Sequence, residues 1–390
     1  MSFAHRVAHL KAEGAYAVFA RAQDLESQGR EIVHLEMGQP DFETYPNITL
    51  AGIRAIVEGH TRYTLPSGVP ALRQALAADA GSRRGVEFSP EQVVIAPGNK
   101  PLLLLPMLAI LEPGDEVIYP DPGFPSYSAT IGLCGGIPVA VPLVEERGFD
   151  LDLEALEACI SSRTRMIILN SPGNPTGNIL SANSLAHVAR LANRHDLWVL
   201  SDEIYGRMAY DGEATSIVSL LGMAERTIIA DGFSKTYAMT GWRLGFGVMP
   251  VPLAEKLDLL LTHSVGCSAT FTQYAGLEAV LGPQDEVDAV MQEFRRRRQL
   301  IVDGLNAIPG IRCPMPRGAF YAFPNVTSFG LSSDELADYL MVKAGVAVLP
   351  GTSFGGNGEG YLRLSYANSM ENITRGLDRV ERYLKRRNGG

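Results

Sequence analysis

Only six lysines occur in the 390 residues, and Lys235 has the least ordinary setting of them. It lies in Gly232-Phe233-Ser234-Lys235-Thr236-Tyr237-Ala238-Met239-Thr240-Gly241-Trp242-Arg243, a tight apolar and glycine-rich stretch. A desolvated amine titrates lower than a solvated one and becomes a nucleophile. A lone Ser-Lys pair is more often a surface lysine with its stem laid on apolar neighbours, so the reading depends on what accompanies it. Pro97-Gly98-Asn99-Lys100-Pro101 combines a glycine that permits close backbone approach with a proline suited to the first turn of a helix. A helix start of this kind can hold a phosphate. Asn170-Ser171-Pro172-Gly173-Asn174-Pro175-Thr176-Gly177 is a rigid turn that would fix Asn174 in place. Asp202-Glu203-Ile204-Tyr205 puts a carboxylate and a phenol three residues apart. Singly, these read as a common turn or a helix N-cap. Together they offer a phosphate cradle, a carboxylate, a phenol and an amine, which are the parts a pyridoxal phosphate site requires.

The elements that must position these residues follow from the apolar pattern. Val93-Val94-Ile95, Val117-Ile118-Tyr119, Met166-Ile167-Ile168-Leu169, Trp198-Val199-Leu200 and Thr227-Ile228-Ile229-Ala230 are short runs of the kind buried on both sheet faces. Helical stretches lie between several of them, as in βαβ units around a mostly parallel sheet. Residues 181–195 carry Leu185, Val188, Ala189 and Ala192 at helical spacing, with Ser181 placed as the cap. In such sheets, ligands sit beyond the carboxyl ends of the strands. All four chemical stretches begin there. After residue 280 the pattern changes to a long charged helix through Arg295 to Arg298 and strand-like 318–323, 346–349 and 361–365, consistent with a smaller α+β domain.

Composition narrows the function classes. The chain is 46% apolar, enough for two domains, and carries a net charge of −9 with a pI near 5.4. A broad basic surface for nucleic acid or anionic lipid is not expected. The basic runs 295–298 and 385–387 are expected to be solvated helix faces. Cys134, Cys159, Cys267 and Cys313 form neither a CxxC pair nor a metal pattern and are expected as reduced core residues. The N-terminal stretch has no signal-like apolar core, so a cytoplasmic protein is expected. The apolar run 101–111 is too short for a membrane span and reads as a buried helix.

The four stretches, with Tyr361-Leu362-Arg363-Leu364-Ser365-Tyr366, resemble the class I aminotransferases of fold type I, in the branch that includes bacterial aspartate aminotransferases. The similarity runs from Gly38-Gln39-Pro40-Asp41-Phe42 almost to the C-terminus. It implies an α/β architecture: a large domain over 46–280 with a mostly parallel central sheet, and a small α+β domain from 1–45 and 281–390. It implies that Lys235 carries pyridoxal 5′-phosphate as a Schiff base and moves a proton, while Asp202 pairs with the pyridinium nitrogen. Tyr205 and Asn174 would bond the ring oxygen, and Phe124 would stack on the ring face. Gly98, Asn99, Lys100, Ser234 and Arg243 would hold the phosphate. Tyr63 would come from a neighbouring subunit, giving a homodimer with shared sites. Arg363, on one strand face with Tyr361 and Ser365, would grip the substrate α-carboxylate with its planar fork, and Gly38 would add a backbone contact.

The implied activity is transfer of an amino group between an amino acid and a 2-oxo acid. Elimination, decarboxylation or cyclisation with the same cofactor is the alternative that one scaffold can host. A DNA-reading regulator is disfavoured by the net charge. Three departures bear on specificity. Gly232 stands where many relatives have a phosphate-binding serine, Phe124 where aspartate-specific relatives often have tryptophan, and Ala15 where some have threonine. Lys100 remains within reach of a distal acidic group.

Overall fold

The computed structural model describes residues 3–8, 10, 12–212 and 214–388. β1 (Val33–His34) is followed by the strands of the large sheet: β2 (Val93–Ala96), β3 (Glu116–Asp121), β4 (Ile137–Val144), β5 (Asp150–Leu151), β6 (Thr164–Asn170), β7 (Trp198–Asp202), β8 (Thr227–Gly232) and β9 (Gly245–Val248). Four short strands come later: β10 (Tyr321–Ala322), β11 (Val346–Ala347), β12 (Leu349–Pro350) and β13 (Leu362–Ser365).

The eight strands lie in the order β2-β9-β8-β7-β6-β3-β4-β5. Contacts β4/β3, β3/β6, β6/β7 and β7/β8 are parallel, while β9 runs antiparallel between β2 and β8 and β5 antiparallel on β4. All five strand-like runs read from the sequence are in this sheet. Side chains alternate between its two faces, as strand geometry dictates. Met166 and Ile168 pack with Leu257 and Leu261 of the helix Val251–Thr262, whereas Ile167 and Leu169 pack with Leu185 and Val188. Both faces are covered, so the strands have near-continuous apolar sequences. The helix Ala182–His195 crosses over between β6 and β7, and Ser181 Oγ accepts a hydrogen bond from Ser184 N at 3.1 Å, the expected cap.

Beyond residue 280, the helix Asp285–Asn306 packs with the helix Met370–Asn388 beside the small sheet β10-β13-β12. β1 joins this region from the other end of the chain, pairing in parallel with β11 through Val33–Val346 and His34–Ala347. Regular structure here is sparser than the sequence suggests. The expected strand 318–323 narrows to β10, because Ala319 has φ +56° and Gly318 lies against Pro172. The expected strand 346–349 divides at Val348, with β11 pairing to β1 and β12 to β13.

Two expectations hold only in part. The basic run is solvated at Arg295 and Arg296 but not at Arg297 and Arg298. Only 6% of the Arg297 side chain is exposed, its Nη1 lies 2.6 Å from Asp41, and its guanidinium stacks 4.7 Å over Phe42. Arg298 packs over Tyr210 and pairs with Asp211 at 2.8 Å. Their helix faces two other segments: Asp41 and Phe42 after Gly38 neutralise and cover Arg297, and Tyr210 and Asp211 do the same for Arg298. Arg296 remains solvated, as does Lys385, which pairs with Glu381. The side chains of Arg386 and Arg387 lie outside the described residues. Among the four free cysteines only Cys313 is fully buried. Cys134 and Cys159 are half-buried at helix ends, and Cys267 is half-buried in the loop before the helix Thr270–Leu281. No described helix is long and apolar enough to cross a membrane.

Candidate active site at the strand ends

The turns leaving β2, β6, β7 and β8 open onto one cleft of about 520 Å³. Its lining includes Asn99, Lys100, Phe124, Asn174, Asp202, Tyr205, Ser234, Lys235 and Arg243 from the large-sheet side, with Gly38 and Arg363 facing them. Gly98 lies behind this lining and Tyr63 lies away from it, 96% exposed. Residues as distant in sequence as Asn99 and Lys235 therefore meet because parallel strands deliver their β-to-α turns to the same sheet edge.

Asp202 closes the floor. Its Oδ2 accepts from Tyr127 Oη at 2.8 Å, and Oδ1 accepts from Asn99 Nδ2 at 3.0 Å and Ile204 N at 3.3 Å. Burial pushes its carboxyl up to about 6, against the pull of those three donors, with Asp231 adding a smaller upward push. A cation placed here would hold Asp202 ionised. Asn99 Oδ1, also buried, has no partner among the described residues.

Lys235 projects between the rings of Tyr205 and Phe320, with Nζ 5.9 and 5.7 Å from their centroids, and donates to Gly38 O at 2.5 Å. Burial brings the amine down to about 8, helped by the positive charges of Arg363 and Arg243 and opposed by Asp202 and Glu13. Roughly a tenth of the amine is then neutral at pH 7, far more than for a solvated lysine, as a nucleophilic amine needs. Burial drives the Tyr205 phenol well above its ordinary value, and its Oη is hydrogen-bonded to Tyr321 Oη at 2.7 Å, where either hydroxyl can donate.

Arg363 is buried with no ion pair among the described residues. Nη1 donates to Asn174 Oδ1 at 3.1 Å, Nη2 donates to Glu36 O, and Nε has no partner. The guanidinium is held between Tyr321 and Phe354, 4.5 and 4.9 Å from their centroids. A desolvated cation without a counter-ion favours an incoming anion, and its fork suits a carboxylate. Asn174 is itself fixed, its backbone N–H donating to Asn170 Oδ1 at 2.8 Å.

At the other end, Gly98 (φ +91°) precedes the helix Lys100–Ile110. A Cβ on Gly98 would overlap the Arg243 guanidinium, so the glycine makes room for the arginine. Arg243, itself at φ +53°, donates through Nη1 to Thr240 O at 2.9 Å and through Nη2 to Pro97 O at 3.5 Å, and lines the cleft. Ser234 and the first turn of the helix complete a concave group of donors. Gly232 contributes no hydroxyl, and a Cβ there would crowd Ile204, Leu244 and Gly245 at 3.1 to 3.3 Å. The missing serine is thus matched by a packed strand end. Phe124 forms the wall, edge-on to Tyr127 at 5.7 Å.

Sequence reasoning missed several residues of this site. Tyr127 lies one helical turn after Phe124, and Asn170 opens the proline-rich turn, so both had local signals. Tyr321, Glu36 and Glu13 had none, because they reach the cleft from segments remote in sequence.

A sequence profile described as aminotransferase class I and II matches residues 30–380. The chain belongs to this family. Its relatives include an aspartate aminotransferase of Pyrococcus horikoshii, 39% identical over 384 residues that make up 98% of this chain and 97% of the relative. An aromatic-amino-acid aminotransferase of Thermococcus litoralis is 40% identical over 94% of each chain. The solved aspartate aminotransferase of Thermus thermophilus with maleate matches at TM-score 0.93 and 37% identity, over 98% of this chain and 99% of that one. The protein is an aminotransferase with the fold type I α/β architecture. Pyridoxal phosphate is its cofactor, and its substrates are amino and 2-oxo acids. The cleft fits that cofactor: the donor group around Gly98 and Arg243 suits a phosphate, the buried Asp202 an electropositive ring nitrogen, and Lys235 an aldehyde carbon.

Proposed function

We propose that Lys235 is the amine that bears the cofactor and carries the proton during amino-group transfer. The supporting observation is the desolvated Nζ, held between two aromatic rings and two cationic groups and brought down to about 8. When bound, pyridoxal phosphate supplies an electron sink for the carbanion left at the substrate α-carbon. Asp202 keeps the ring nitrogen protonated, and its own ionisation is restored by that cation. Tyr205 and Asn174 donate to the ring oxygen, and Phe124 covers one ring face. Asn99, Lys100 through its backbone, Ser234, Gly98 and Arg243 hold the phosphate. Arg363 binds the α-carboxylate and, with Gly38, orients the α-carbon toward Lys235 Nζ, which takes up and returns the proton.

The same reading divides the chain into a cofactor-binding domain over 46–280 and a smaller domain from 1–45 and 281–390, with the cleft between them. It makes the active unit a homodimer in which Tyr63 of one protomer completes the phosphate site of the other. Supporting this, Tyr63 stands free of its own cleft, beside exposed Leu50, Ile53, Val57 and Leu65 on and after the helix Pro46–Val57. Such an apolar patch favours a protein partner.

Purified holoenzyme mixed with a panel of amino acids, then with 2-oxoglutarate, should show the cofactor absorbance shift and return. Absence of any shift across the panel, or a shift retained at the wild-type rate in Lys235→Ala, would overturn the assignment of Lys235.

A further inference from the structure

Once Arg363 is assigned to the α-carboxylate and Arg243 to the phosphate, Lys100 is the cation left at the cleft rim among the described lining residues. It is not free. Glu13, the residue immediately before the helix Gly14–Ser27, turns its carboxylate onto Lys100 Nζ and also accepts from Ser126 Oγ at 3.0 Å. This places an internal carboxylate on the one unassigned lining cation, the group that could otherwise pair with a second substrate carboxylate. The segment bearing Glu13 is pressed into place: a Cβ on Gly14 would collide with Ser353 Oγ, and Ala15 packs on the cluster of Phe149, Phe323, Leu349 and Phe354. Lys100 Nζ also lies 5.8 Å over the Phe124 ring. The pair sits at a partly solvated rim, with Ala15, Leu103, Phe124, Leu349 and Phe354 lining the same cleft.

We infer that Glu13 determines the side-chain preference of this aminotransferase, by supplying within the protein the negative charge that Lys100 would otherwise take from the substrate. The cleft then favours amino acids with aromatic or other large apolar side chains. A second carboxylate would meet Glu13 as a like charge and would have to displace it from Lys100. Selectivity of this kind comes from a built-in repulsion as much as from attraction. Glu13 acts at long range too, since its charge is felt at both Lys235 and Arg363.

This inference rests on the reading of Arg363 as the α-carboxylate clamp, and the experiment separates the two. Wild-type, Glu13→Gln and Glu13→Gln/Lys100→Met holoenzymes are titrated calorimetrically with succinate and with 3-phenylpropionate. The kcat/KM values for aspartate and phenylalanine are measured alongside. In Glu13→Gln the preference for the dicarboxylate over the aromatic acid should rise about fivefold, the size of one partly exposed charge contact. The rise should sit in KM rather than kcat, and adding Lys100→Met should remove it. An unchanged preference in Glu13→Gln, or a rise that survives Lys100→Met, overturns the role of Glu13. Arg363→Ala in parallel should weaken both ligands. If it weakens neither, the clamp reading fails, whatever Glu13 does.

Discussion

On the floor of the cleft, Asp202 accepts three hydrogen bonds and Asn174 is held by Asn170, so the polar groups that would meet the cofactor are fixed by one another. On the opposite wall, Arg363 is buried between two rings with its Nε unpartnered and no ion pair among the described residues. The floor's carboxylate is pre-paired, although Asn99 Oδ1 beside it has no partner among the described residues, and the wall is waiting for charge. A resident group needs a site that is complete before each turnover, whereas a substrate that comes and goes is bound by groups whose satisfaction it brings. Substitutions on the floor should therefore act on every substrate alike, and those on the wall should leave the cofactor held and act on affinity.

The largest effect is expected at Lys235, whose amine bears the cofactor and carries the proton. Lys235→Ala should lower kcat by at least about 10³-fold, while Arg243 and Asp202 still retain the cofactor non-covalently. Stopped-flow absorbance with single-turnover substrate measures both. Asp202→Asn comes next, at about 10²-fold in kcat, comparable with loss of one oriented electrostatic contact to the reacting group. The same change should stabilise the cofactor-free protein. The folded carboxyl titrates at about 6 against 3.8 in the reference state. Between those values the folded chain retains a proton that the unfolded chain has released, so stability falls as pH rises from about 4 to 6, and the penalty is complete above 6. At pH 7 cofactor-free Asp202→Asn should exceed wild type by up to roughly 3 kcal/mol, with the gap closing below pH 4. Denaturant melts at both pH values test this. A variant less stable at pH 7 would mean that Asp202 is not strained on the floor.

The two sides also differ in how far they could be read from the sequence. Asn99, Asn174, Asp202, Tyr205 and Lys235 each follow a recognisable apolar strand, and parallel packing alone brings those strand ends together. The large sheet was legible for the same reason, although β4, β5 and β9 were not: β4 is largely half-exposed, β5 is two residues long, and β9 contains two glycines. The wall draws on Glu13, Glu36, Tyr321, Phe354 and Arg363, which share no period or spacing. Only the motif around Arg363 marked it. The buried pairing of Arg297 with Asp41 was hidden likewise, because nothing local tells a charged helix face against another segment from one against water.

On the wall, Arg363→Lys keeps the charge but loses the fork, and should lower kcat/KM about 10- to 100-fold with the cofactor spectrum unchanged. Steady-state kinetics with a good donor, beside the resting absorbance, measures this. A spectrum lost along with the rate would erase the distinction between the two sides, since it would make the wall part of the cofactor's support.

The smallest effect, and the finest test of the floor, is Tyr127→Phe. The ring is fully buried and packs edge-on to Phe124, so phenylalanine preserves the packing and removes only the donor 2.8 Å from Asp202 Oδ2. One hydrogen bond to a carboxylate is worth about three- to tenfold. Its pH dependence separates the possible roles. The Tyr127 hydrogen bond favours the ionised form of Asp202 against the cost of burial, so its loss should move that carboxyl upward from about 6. Cofactor affinity, followed by fluorescence quenching of the cofactor-free protein, should then fall off at higher pH in the variant than in wild type and converge with it in the alkaline range. A uniform loss at every pH would show that Tyr127 only fills space, and that the floor is pre-paired by Asn99 and the Ile204 backbone alone.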